Sequence, residues 1–176
     1  MDIVRIISGV NNLLSVFNED EEMSEFRLLF KNWYDIEYLT NFFESNKSDL
    51  DVLTIDEAVE QTVEDADRLE ESLLSVAESD TEQLQSLFKP LFPSEYRLTT
   101  YQREKAYGTV RRSWLRVYAI RINPNLYVVT GGAIKMTQKM QDRPHTQKQL
   151  KRLAQVRDYL HEFGFTENDI ESLRAE

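Results

Sequence analysis

Two β-rich runs, Trp114 to Ile122 and Leu126 to Thr130, lie on either side of Asn123-Pro124-Asn125. Strand-forming residues flanking such a triplet predict an antiparallel pair, because proline presets φ and asparagine tolerates tight turns. Gly131-Gly132 follows, at a point where a strand can bend or bulge. A chain with this hairpin has to build a sheet around it and cover that sheet with helices. The two-residue period of a strand puts Leu115, Val117 and Ala119 on one face. Trp114, Arg116, Tyr118 and Ile120 take the other. The first face is expected to pack on a helix, and Arg116 and Tyr118 are expected to share a more open one.

Upstream, Ile3 to Ile7 and Leu13 to Phe17 are short apolar runs around Gly9 and Asn11-Asn12. This spacing suggests a second hairpin, with an N-terminal helix as the alternative. The acids Glu19 to Glu22 lead into a helix that carries Phe26, Leu29, Phe30, Trp33, Leu39, Phe42 and Phe43 at spacings of three and four. That aromatic stripe reads as packing. Thr54 and Glu57 have capping-box spacing, and the helix they start carries Ile55, Val59, Ala66, Leu69, Leu73 and Val76 as one stripe. Asp80 with Gln83 opens a further short helix to about Phe88, and Pro90 and Pro93 end the helical part. Near the other end, Thr146 starts a helix with Leu150, Leu153, Val156 and Leu160 on one side. Gly164 is its C-cap, and Thr166 begins a short acidic tail helix.

The expected architecture is α+β. Residues 1–88 form an acidic, mainly helical region, and residues 89–176 form a basic core of small antiparallel sheet and C-terminal helices.

Charge follows the same division. The net charge of −10 arises from 5 Lys and Arg against 22 Asp and Glu in residues 1–87, 15 against 4 in residues 88–160, and 1 against 5 thereafter. The basic segment is the footprint of a polyanion-binding module, or else the partner that the acidic helices neutralise within the molecule or a dimer. Arg97, Arg103, Lys105, Arg111 and Arg112 are interleaved with Tyr96, Tyr101 and Tyr107. Cations there can take phosphates while the rings stack on unpaired bases. There is no cysteine, hence no disulfide or thiol chemistry. The N-terminal residues have neither signal-peptide nor membrane-span character, so a cytoplasmic protein with no membrane partner is expected.

Most catalytic classes drop out. His145 and His161 have no neighbouring ligand pattern, so neither metal nor cofactor is expected. No serine or threonine sits in a nucleophile elbow, and the paired carboxylates lie on solvated helices. A cationic, tyrosine-bearing sheet remains. Such a surface can cleave RNA without a metal: the 2′-hydroxyl attacks the adjacent phosphate, cations stabilise the added negative charge, and a Tyr, His or Lys moves protons.

Trp114-Leu115-Arg116-Val117-Tyr118, Tyr127-Val128-Val129, Lys135-Met136-Thr137-Gln138-Lys139 and the helix with Leu150, Leu153 and Arg157 follow one another in a familiar order. With these elements, the segment from about Phe88 to Leu160 resembles the HigB/RelE-like toxins, in particular their phage-derived branch. The resemblance implies a small antiparallel sheet flanked by helices, and cleavage of mRNA on the ribosome restrained by an antitoxin. Carried over by position, Arg116 and Lys135 neutralise the scissile phosphate, and Lys139 and Arg157 add RNA contacts. For proton transfer the candidates are Tyr118 and His145, chosen on chemistry. The chain departs from the family in its acidic first half and in Met136, where the usual loop has a second lysine. The alternative is a non-catalytic protein-interaction module on the same fold, with another protein as partner. The sequence leaves the oligomeric state open.

Overall fold

The computed structural model describes residues 1–92, 100–107, 113–136 and 143–176. The fold class is α+β, as the sequence predicts. Six strands, β1 Asp2–Arg5, β2 Leu13–Phe17, β3 Phe88–Pro90, β4 Gln102–Ala106, β5 Leu115–Asn123 and β6 Leu126–Ile134, form one sheet in the order β1-β2-β6-β5-β4-β3. Both expected hairpins are present: Asp2 pairs with Phe17 across β1 and β2, and Leu115 with Ile134 across β5 and β6. The sheet is mixed rather than wholly antiparallel, because β2 runs parallel to β6, with Leu13 beside Tyr127 and Ser15 beside Val129. The sheet therefore takes strands from both sides of residue 88.

Among the described residues four α-helices pack with the sheet: α1 Glu25–Tyr34, α2 Ile36–Ser45, α3 Ile55–Glu78 and α4 Pro144–Glu162. Leu115, Val117, Ala119, Tyr127 and Val129 join the buried faces of α1, α2 and α3 in one core, which includes Phe26, Trp33, Phe43 and Leu73. On the opposite face, Tyr118, Ile120, Ile122 and Val128 pack with Leu153, Val156 and Leu160 of α4. Burying each large apolar side chain stabilises the fold by about 1.5–3 kcal/mol before chain entropy is counted. The second face of β5 is thus closed by α4, not open.

Local chemistry sets the helix ends. The stripe from Phe26 to Phe43, expected as one helix, is broken at Asp35. This residue is extended (φ −82°, ψ 108°), and its carboxylate accepts the Tyr38 N–H at 3.0 Å, capping α2. The break lets α1 lie on β2 and β6 while α2 packs on α1 and α3. The capping box at α3 forms as expected: Glu57 N–H donates to Thr54 Oγ1 at 3.2 Å, and Thr54 N–H to Glu57 Oε2 at 2.8 Å. The short helix expected after Asp80 is a 3₁₀ turn, Leu84–Ser86, leading into β3. It is tied to the β5–β6 turn, since Leu84 N–H donates to Asn125 Oδ1 and Gln85 N–H to the Pro124 carbonyl. The helix expected from Thr146 starts two residues earlier, at Pro144. Proline suits a first-turn position, where no N–H is needed. Gly164 follows its C-terminus with φ +61°. After a 3₁₀ turn at Glu167–Ser172, the chain returns to β1, where Arg5 N–H donates to the Arg174 carbonyl and Glu176 N–H to the Arg5 carbonyl.

Candidate functional site

The backbone brings Arg116, Lys135 and His145 to the same end of the β5–β6 hairpin. Arg116 stands opposite Ala133, and Lys135 N–H extends the ladder by donating to the Trp114 carbonyl at 2.7 Å. His145, in the first turn of α4, holds its Nε2 2.9 Å from the Ile134 carbonyl and its ring edge-on to Phe42. A carbonyl oxygen only accepts, so Nε2 is the donor of this bond.

The Arg116 guanidinium lies over the Tyr107 ring, 4.7 Å from its centroid, and its NH1 donates to the carbonyls of Ser113 (2.6 Å) and Leu115 (2.7 Å). Lys105 approaches the same ground from β4, where it pairs with Tyr118, and its Nζ donates to the Leu91 carbonyl at 3.2 Å. Burial, and then the charge of Arg116, hold Lys105 below the ordinary lysine value. Burial likewise lowers Arg116, against the opposing pull of Tyr118 and Tyr107. Among the described residues no carboxylate offsets either cation. Two partly desolvated cations held this close are stabilised by an anion placed between them.

Other expected residues fall elsewhere. Tyr118 is fully buried beneath α4, and burial raises its hydroxyl far above the ordinary tyrosine value. It cannot reach a substrate as a proton carrier, which corrects the expectation of an open face. Arg157 is held by its neighbour Asp158 at 3.1 and 2.9 Å, and it stands about 18 Å along α4 from His145 at 1.5 Å per residue. Arg111, Arg112 and Lys139 lie outside the described residues.

Sequence reasoning named Lys105 and Tyr107 within its tyrosine-and-cation stretch but gave neither a place beside Arg116. The two-residue period of β4, pairing Lys105 with the face of Tyr118, was the signal that could have found them.

The opposite face of the sheet holds a separate polar group. Tyr127, stacked on Phe88 at 4.5 Å, donates its hydroxyl to Glu104 Oε2 at 3.0 Å. Burial raises the Glu104 carboxyl above the usual carboxylate value, while Tyr127 and Arg121 pull it back. This group lies inside the core and has no route to a substrate.

Among the described residues no cluster of three or more His, Asp and Glu gathers as a metal would need, and no helix is long and apolar enough to cross a membrane. Comparison with family models, curated proteins and solved structures returned no match.

Proposed function

We propose that this chain is a toxin-type RNA-binding protein that cleaves mRNA without a metal. One observation carries the reading: the β4–β5 register sets Lys105, opposite Tyr118, on the same face as Arg116, where both cations are partly desolvated and the charge of Arg116 bears on Lys105. A phosphodiester is the anion that suits them. Arg116, Lys105 and Lys135 take the scissile phosphate as the 2′-hydroxyl attacks phosphorus and the bond to the 5′-oxygen breaks, leaving a 2′,3′-cyclic phosphate. His145 is the residue proposed to accept and return the proton. The family resemblance adds the ribosome as the place of cleavage, an antitoxin as protein partner and the cytoplasm as the compartment.

The test uses the full chain with Arg116→Ala and Lys135→Ala combined. Growth arrest on induced expression, and RNA cleavage by purified protein, are expected from the parent and lost from the double variant. Cleavage that survives both substitutions sinks the site. The burial of Tyr118 favours a second reading, a protein-interaction module without catalysis. That reading predicts intact RNA, no arrest and a stable partner in a pull-down.

A further inference from the structure

On the side of the sheet that faces α4, cover runs out strand by strand. Tyr118 of β5 is fully buried beneath the helix. Lys105, its neighbour on β4, is half-buried, and Lys89, the neighbour of Lys105 on β3, is exposed. Adjacent strands lie about 4.8 Å apart, so two steps carry the sheet about 10 Å past Tyr118, roughly the width of a helix. The burial of β4 records the result, alternating residue by residue between a closed face and an accessible one.

The pleat also sorts the charges. The one acid in β3, β4 and β5 is Glu104, and it lies on the other face with Tyr127 and Arg121. Lys89, Arg103 and Lys105 all take the accessible face, since Lys89 opposes Lys105, Lys105 opposes Tyr118 and Arg103 opposes Ile120. Arg116 shares that face at two residues from Tyr118. Helices α1 to α3 pack on the far side of the sheet, so their acids lie behind these cations.

Two rings stand among the cations, each with an arginine on it. The Arg103 guanidinium lies 5.2 Å from the Phe92 centroid, as Arg116 lies over Tyr107. A guanidinium covers one face of a ring. Tyr107 is 40% exposed and Phe92 half-buried, so both rings keep surface for a second flat group. Cations in a row with stacking rings between them match the alternation of phosphates and bases in a single strand, whereas a duplex hides its base faces.

We infer that the accessible face of β3 and β4 is a platform for the nucleotides next to the scissile one. A single RNA strand leaves Arg116 and Lys105, gives its next phosphate to Lys89 and lays bases against Tyr107 and Phe92. The inference rests on the RNA reading above and deepens it: it names unpaired RNA as the substrate, and Lys89 and Phe92 as residues that hold it away from the reacting bond.

Fluorescence anisotropy of the full chain with 2′-O-methyl oligonucleotides tests it, since these lack the attacking hydroxyl and stay whole. Affinity is expected to rise at least about tenfold from dimer to hexamer, the gain that one stacked base commonly gives. The same hexamer paired to its complement is expected to bind no better than the dimer. Lys89→Gln is expected to flatten the rise and to make the salt slope of the hexamer shallower by about 0.7, one phosphate contact on a single strand. Lys89 is exposed, so the substitution leaves the core intact, and circular dichroism checks the fold. An equal rise in parent and variant, no rise in a parent that still cleaves RNA, or equal binding of the duplex overturns the platform alone. A chain that neither binds these oligomers nor cleaves RNA overturns the RNA reading, and this inference with it.

Discussion

Asp49 holds the guanidinium of Arg143 with both carboxylate oxygens, Arg143 Nε donating to Oδ2 at 2.9 Å and NH2 to Oδ1. Asp49 comes from the acidic half, in the 3₁₀ turn Lys47–Asp49, and Arg143 is the N-cap of α4. The pair fixes the start of the helix that carries His145. It is also half-withdrawn from water, with side-chain exposures of 11% for Asp49 and 37% for Arg143. Arg143→Ala leaves that carboxylate without its fork. The expected loss is about 1–2 kcal/mol, less than for a fully buried pair because water still screens Arg143. Denaturant unfolding measures it, and hydrogen exchange is expected to quicken through the first turn of α4. Unchanged stability and exchange would show the fork to be ornamental.

Lys105→Met removes one of the two paired cations while keeping the aliphatic stem. RNA affinity is expected to fall, and the slope of log affinity against log salt to become shallower by about 0.7, the share of one phosphate contact on a single strand. Filter binding at several salt concentrations reads both. An unaltered slope places Lys105 away from the phosphate.

Trp114 bridges sheet and α3: its indole N–H donates to Thr62 Oγ1 at 2.9 Å, and its ring lies 5.6 Å from Phe43. Trp114→Phe keeps most of the packing and leaves the hydroxyl without its donor. A cost of about 1–2 kcal/mol in urea unfolding is expected. Thr62→Val in the same background is expected to add little further, because the partners are already separated.

Glu104 gives a pH test. Its carboxyl is raised above 4.5 by burial, so the native state holds its proton more tightly than the unfolded chain. Between 4.5 and the raised native value, stability from this group therefore rises as pH falls, and below 4.5 no more is gained. Glu104→Gln keeps an acceptor for Tyr127 and abolishes the titration. The variant is expected to gain less stability than the parent on acidification from pH 7 toward 4.5. Identical slopes would show that Glu104 does not titrate in this window.

Short-range chemistry was legible in the sequence. The Asn123-Pro124-Asn125 turn, the N-terminal hairpin and the Thr54–Glu57 box each depend on residues a few positions apart. Asp35 was harder to read, because the apolar period runs through it without a visible gap and only its capping bond marks the break. The β2–β6 pairing leaves no local trace, since nothing near Leu13 or Tyr127 specifies a parallel neighbour. The same limit explains Tyr118. A strand covered on both faces reads as nearly continuous hydrophobicity, and Arg116 beside Tyr118 gave that run a false polar side. The site was legible for the same reason it was incomplete. Arg116, Lys135 and His145 lie on or next to one hairpin, whereas Lys105 and Tyr107 arrive from another strand.

The parallel contact between β2 and β6 also sets an order of events at the ribosome. Ser15 emerges more than a hundred residues before Val129, its neighbour in the finished sheet. Until β6 appears, the first hairpin has no inner partner, and α1 to α3 lack most of the sheet that their apolar stripes share a core with. Closure over that separation is slow by contact order, so the acidic helices wait for the basic half instead of folding ahead of it. The site at the end of β5 and β6 is therefore assembled in the step that completes the whole molecule, and no half-made chain carries it.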